Sequence, residues 1–222
     1  AVLQLHDPLN AKKKGAFLNR LIFDEILSVL LTNSNVRMAI KKIKKTKKSF
    51  DNNPLIKIKK KINFDLTFDQ KKAIEEINQD LKSNQKMFRL LQGDVGSGKT
   101  IVSLISALDV ISSGFQVCMM SPTEILANQH YRLAKELFNN DITIDMLTSK
   151  TERTKRSNII KSLADNSLKL LIGTHSLFQE KIKYKKLGLI IIDEQHKFGV
   201  KQRKKLSDKG GKDCDILVMS AT

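Results

Sequence analysis

The chain has 222 residues, 41% hydrophobic and 28% charged, enough to bury a core without a staple and too apolar for wholesale disorder. Two cysteines, Cys118 and Cys214, exclude a disulfide framework; short apolar runs and no signal-peptide core point to a soluble cytoplasmic protein without a membrane partner. The net charge of +17 favours a polyanion, but 33 Lys against 7 Arg is also how an AT-rich coding sequence writes an ordinary surface, so a nucleic-acid partner must be argued from motifs.

Along the chain, residues 1–62 read as a helical linker segment. Ala16 to Thr32 is an amphipathic helix, with Leu18, Leu21, Ile22, Ile26, Val29 and Leu30 recurring at three- and four-residue intervals. From Lys41 to Lys61 the sequence is dominated by lysine and broken at Asp51-Asn52-Asn53-Pro54. That strip is either a solvated helix face followed by a loop or a strip that touches phosphates. Residues 63–222 then alternate helices with short apolar strands. Thr67 caps a helix through Leu81 with Phe68, Ala73, Ile74 and Ile77 facing inward. Strands are expected over Met87–Gln92, Gln116–Ser121, Ile142–Leu147, Leu168–Ile172, Leu187–Ile192 and Asp215–Met219, and helices over Lys99–Ser112 and Glu124 to Phe138. Such a pattern specifies an α/β fold, a parallel sheet with helices on both faces, preceded by a small helical segment.

Between the first strand and its helix stands Gly93-Asp94-Val95-Gly96-Ser97-Gly98-Lys99-Thr100. Gly, four residues and Gly-Lys-Thr in a strand-to-helix context is the phosphate-loop pattern. Gly96 and Gly98 let the backbone curl until several N–H groups, those around Val95 and Ser97 included, converge on phosphate oxygens at a helix N-terminus. Lys99 adds a point charge between the outer phosphates, and the Thr100 hydroxyl is a Mg²⁺ ligand. Such a loop needs a carboxylate at the end of a neighbouring buried strand. Leu189-Ile190-Ile191-Ile192-Asp193-Glu194 supplies it, with Asp193 for the metal and Glu194 to orient and deprotonate the attacking water.

Asp193-Glu194-Gln195-His196 resembles the second motif of superfamily 2 helicases. Leu66-Thr67-Phe68-Asp69-Gln70 looks like their adenine-side motif, and Ser121-Pro122-Thr123-Glu124-Ile125-Leu126-Ala127-Asn128-Gln129-His130 like motif Ia. Gly173-Thr174-His175-Ser176-Leu177-Phe178-Gln179 looks like motif Ib, and Ser220-Ala221-Thr222 like motif III. In order and spacing the set is similar to the RecG family of ATP-dependent DNA helicases. Members of the transcription-repair coupling factor and primosomal helicase families differ after the paired acids, where this chain reads Gln195-His196. The fold the resemblance implies is a RecA-like P-loop domain, the first motor domain of such a helicase, in a bacterial cytoplasm.

The resemblance further implies ATP and Mg²⁺ as cofactors and branched DNA as substrate, as at stalled forks and Holliday junctions. Gln70 would read the adenine edge. Gln195 and His196 would join the γ-phosphate site to Ser220 and Thr222 of motif III, while Lys99 and Glu194 carry the chemistry. Pro122, Thr123, Glu124, Gly173, Thr174 and His175 would line the DNA face, where amides and hydroxyls suit phosphates. Two departures stand out. Leu147-Thr148-Ser149-Lys150 lacks the Gly of the family's Leu-Thr-Gly-Ser, and Lys197 stands where Arg is usual. The chain stops at the last residue of motif III, so a second RecA-like domain with its arginine finger and a wedge domain are expected partners. Without them this piece is expected to be nearly inactive. The competing expectations are the motor of another superfamily 2 translocase and a catalytically idle basic nucleic-acid-binding module.

Overall fold

The computed structural model describes residues 18–28, 31, 43–50, 64–138, 141–194 and 209–221. The chain divides into two compact units, residues 1–42 and 43–222. In the first, residues 18–28 are helical as the periodicity predicts. Leu18, Ile22, Phe23 and Ile26 of that helix are each about half exposed, and Arg20 pairs with Asp24 one turn on at 3.1 Å.

The second unit is a six-stranded, wholly parallel sheet. Its elements are α1 (Phe68–Lys82), β1 (Phe88–Gln92), α2 (Lys99–Ser112), β2 (Gln116–Met120), α3 (Glu124–Phe138), β3 (Ile144–Leu147), α4 (Arg153–Ala164), β4 (Leu170–Gly173), β5 (Leu187–Asp193) and β6 (Asp215–Ser220). The strand order is β1-β6-β5-β2-β4-β3. β2 and β5 are buried along their whole length, because alternate residues feed cores on opposite faces of the sheet. Val117, Met119, Ile191 and Leu217 pack with Ile77, Leu81, Leu104 and Ile105 of α1 and α2. Cys118, Met120, Ile190 and Val218 pack instead with Ile159, Leu163 and Leu177.

Three sequence expectations are corrected here. Phe68 faces solvent, 79% exposed, because it is the first residue of α1 and the apolar stripe begins only at Ala73 and Ile74. The helix α4 was not expected at all. Its sequence carries two buried apolar residues, Ile159 and Leu163, so its stripe is too thin to stand out among polar neighbours. The third is the lysine strip, of which residues 41, 42 and 51–61 lie outside the described residues.

Residues 43–50 group with the second unit and are not helical; Lys44 and Lys47 are exposed, whereas Lys45, Lys48 and Phe50 are buried. They form a strap across the turn after α1, with the Lys45 N–H donating to Asn84 O at 2.9 Å and the Lys86 N–H to Ile43 O at 3.2 Å. Lys45 and Lys48 turn inward, and each ammonium lies 2.6 Å from Asp215 Oδ2 with no side-chain exposure. The other carboxylate oxygen accepts from the Met87 N–H at 2.7 Å. Asp80 O and Asp213 O take further bonds from the two lysines. A carboxylate and two carbonyls therefore offset the desolvation of two cations. Burial still pulls the Lys45 pKa down, against the attraction of Asp215.

Candidate functional site

Parallel pairing puts the carboxyl ends of all six strands on one edge of the sheet, and the sequence motifs gather there. β6 lies between β1 and β5, with Gln92 opposite Ser220 and Met219 opposite Asp193. The loop leaving β1 and the acids leaving β5 are therefore two strand spacings apart, about 10 Å between backbones. Side chains and a bound ion can bridge that gap.

The loop itself is built for an anion. Gly96 and Gly98 both hold φ of +83°, which only glycine adopts without strain. Gly98 caps α2 with no side-chain hydrogen bond, and the first turn of α2 carries no acid. The N-terminal N–H groups of α2 are thus left without the side-chain acceptor that α1 has in its Thr67–Gln70 capping box. Lys99 Nζ donates to Gly93 O at 2.5 Å and to Asp94 O at 2.7 Å. The ammonium is stored inside the curl, within reach of any phosphate that enters it. Val95 at the tip is 90% exposed.

Gln70 is joined to this loop. Its Oε1 accepts from the Thr67 N–H at 3.0 Å and its Nε2 donates to Ser97 O at 2.9 Å. A Cβ on Gly98 would strike that same Nε2, so Gly98 also makes room for the contact. The amide expected to read adenine is engaged with its own chain, and reading a base would require giving up one or both bonds.

Asp193 ends β5 and is buried, with Oδ2 2.8 Å from His130 Nε2 on α3. Glu194 follows at φ +51°, the left-handed region, where a non-glycine residue stores on the order of 1 kcal/mol. Such strain is concentrated at sites where a side chain must be aimed. No cluster of three or more metal-ligating side chains occurs among the described residues. Magnesium does not need one, since it retains waters and takes one or two protein oxygens plus phosphate. A hydroxyl at Thr100 and a carboxylate at Asp193 suit that requirement. Gln195, His196 and Thr222 lie outside the described residues; Ser220 ends β6, its hydroxyl donating to Ala221 O at 2.8 Å.

The expected DNA-face residues share the same edge but do different things. Thr123 Oγ1 caps α3 by accepting from the Leu126 N–H, and Pro122 precedes it, half-buried. Glu124 reaches across to the loop after β3, accepting from Ser149 Oγ at 2.8 Å and pairing with Lys150 at 3.3 Å. The Ser149 hydroxyl, then Lys150, holds its carboxyl below the usual range. The departure Ser149-Lys150 thus has a partner within the same edge. Gly173 is buried in β4, where a Cβ would strike Leu147 O. Thr174 is buried with its hydroxyl unpartnered among the described residues, while His175 is exposed.

Residues that sequence reasoning missed are His130, quoted within motif Ia but given no role, and Arg156. The latter donates to Thr148 O at 3.1 Å and to Gln179 Oε1 at 2.9 Å, tying the loop after β3 to the turn after β4. Nothing in the sequence marks either, since their partners lie on other elements.

A family model described as DEAD/DEAH box helicase matches residues 67–222. An ATP-dependent DNA helicase RecG from Aquifex aeolicus is 42% identical over all of this chain, which covers 29% of that protein. The Bacillus subtilis protein of the same name is 39% identical, again over all of this chain and 33% of its own length. A solved structure of RecG bound to a three-way DNA junction superposes with a TM-score of 0.79 and 38% identity, covering 91% of this chain and 27% of that one. The chain spans about a third or less of the length of these relatives.

Proposed function

The chain belongs to the DEAD/DEAH box helicase family, and from that premise we propose that it is the first, ATP-binding motor domain of a RecG-type DNA helicase. In the whole protein it couples ATP hydrolysis to the remodelling of branched DNA, in recombination and repair, in a bacterial cytoplasm. The observation that carries this reading is the arrangement on the sheet edge: a glycine-curled loop after β1 with no side-chain cap, and two acids after β5, with only β6 between the two strands.

The chain's own residues divide the work. Entering phosphates take the first-turn N–H groups of α2, and Lys99 turns from Gly93 O and Asp94 O onto the outer phosphate oxygens. Thr100 and Asp193 would hold a magnesium ion. Magnesium, when bound, neutralises charge on the phosphate oxygens during transfer. Glu194, aimed by its left-handed backbone, orients the attacking water and takes its proton. Gln70 exchanges its bond to Ser97 for the adenine edge, which links base recognition to the loop. Pro122, Thr123, Lys150, Thr174 and His175 offer a strip for a DNA backbone, steered by the positive charge. Val95, Phe68 and Ile125, at least 72% exposed, lie on elements that begin at this edge and suit a second RecA-like domain closing over it. A wedge domain completes the branched-DNA specificity.

The test is a comparison of variants. Lys99→Ala should abolish binding of a fluorescent ATP analogue, whereas Glu194→Gln should retain it and, within the whole protein, lower junction-stimulated turnover at least about 10²-fold. Equal nucleotide affinity in both variants and the parent chain would reject the enzyme reading in favour of a basic binding module.

A further inference from the structure

We propose that His130 is the positioning residue for Asp193, locking the metal-binding carboxylate against the helix that starts at the DNA face. The inference rests on the nucleotide-site reading above. His130 lies near the middle of α3, 63 residues before Asp193 in the chain, yet its Nε2 lies 2.8 Å from Asp193 Oδ2. Both side chains are about nine-tenths buried. A carboxylate can only accept, so the bond requires the proton on Nε2, and the Nε2–H tautomer is thereby specified.

Two consequences follow from burial. A carboxylate at a strand end could otherwise rotate about its side-chain bonds, presenting either oxygen to the ion. One hydrogen bond to a ring fixed within a packed helix removes that freedom. Magnesium demands near-octahedral geometry, so its affinity is sensitive to a misaligned ligand. Outer partners of ligating groups typically contribute 10–100-fold to metal affinity. The second consequence concerns what α3 is attached to at its other end. Its first residue, Glu124, holds Ser149 and Lys150 beside the proposed DNA strip. One rigid helix of 15 residues thus touches both the DNA strip and the metal carboxylate.

The experiment measures binding of a fluorescent ADP analogue as free Mg²⁺ is raised, for the parent chain, His130→Ala and His130→Gln. Gln reaches the carboxylate with an amide N–H where His has Nε2–H. His130→Ala should raise the half-saturating Mg²⁺ about 10-fold while leaving metal-free affinity unchanged, and His130→Gln should restore most of the loss. An unchanged Mg²⁺ requirement in His130→Ala, or a Gln variant as impaired as Ala, overturns the proposal. A second measurement does not depend on nucleotide or on the stability of a His130 variant. Imidazole ¹⁵N spectra of the parent chain should show His130 as the Nε2–H tautomer, with its signals moved by Asp193→Asn. An Nδ1–H tautomer overturns the proposal. If the parent chain binds no nucleotide at any Mg²⁺ concentration, the underlying site reading falls and takes the proposal with it; intact binding with an indifferent His130 removes the proposal alone.

Discussion

Single side chains carry opposing demands in this fold. Asp109 lies on the buried side of α2, with Oδ2, like Asn78 Oδ1, lacking a hydrogen-bond partner among the described residues. Burial pushes its carboxyl up to about 6, against weaker pulls from Asn78 and Lys82. The folded chain therefore holds this proton more tightly than the unfolded chain does. The contribution of this group to stability is fully present below the unfolded pKa of 3.8 and is lost as pH rises through about 6. Asp109→Asn, whose amide can donate to Asn78, should raise neutral-pH stability by on the order of 2 kcal/mol and flatten melting temperature between pH 4 and 6. A variant that melts lower at neutral pH would show that the ionised carboxylate has a partner worth more than its desolvation.

Glu124 shows how residue identity alone can mislead. Motif position places it among DNA contacts, but an acid repels phosphate, and its observed partners are Ser149 and Lys150. On the proposed reading its effect on DNA is indirect. Glu124→Gln keeps an acceptor for Ser149 and releases Lys150. The variant should bind a junction slightly more tightly at low salt, by about 2-fold, with the difference gone at high salt. Anisotropy titrations at two salt concentrations read this directly; weaker binding at low salt would mean that holding Lys150 in place matters more than sparing it a competing acid.

Elements differ in how far the sequence reveals them. The helices after the phosphate loop and after Thr123 are found at Lys99–Ser112 and Glu124–Phe138 as expected, because each has a start signal and a broad apolar face. Strand ends move by a residue or two because pairing, not composition, decides them. The candidate site was legible wherever its chemistry is local in sequence, as in Gly93–Thr100 and Asp193-Glu194. It was illegible where it depends on long-range contacts, as with His130 against Asp193 and Arg156 against Gln179. The strap is the clearest case of such blindness. Lysines read as solvent-loving unless a carboxylate waits for them, and Asp215 lies 170 residues beyond Lys45.

The strap is held by a buried ion triad that substitution can test. Asp215→Ala would leave two buried ammonium groups without a carboxylate, and should cost about 3–5 kcal/mol in a urea titration. Lys45→Met removes only the surplus cation, whose pKa burial already lowers, and should cost much less. Because both lysines are sequestered, Lys45→Met should leave the salt dependence of DNA binding unchanged. A flattened slope would mean that Lys45 reaches solvent and phosphate after all.

At the scale of the whole molecule, one sheet carries a structural end and a working end. The amino ends of β1 and β6 are tied down by the strap, through Met87 and Asp215. At the carboxyl ends stand an uncapped helix, a strained acid and exposed apolar residues. The central claim is that the phosphate loop and the acids after β5 hold one ion between them. Its most direct test is a double-mutant cycle on Thr100→Ala and Asp193→Ala, read as the gain in ATP-analogue affinity that Mg²⁺ confers. Two ligands of one ion should each remove most of that gain when truncated, and together little more than either alone. Independent, additive losses, or a gain that survives in Asp193→Ala, would contradict it.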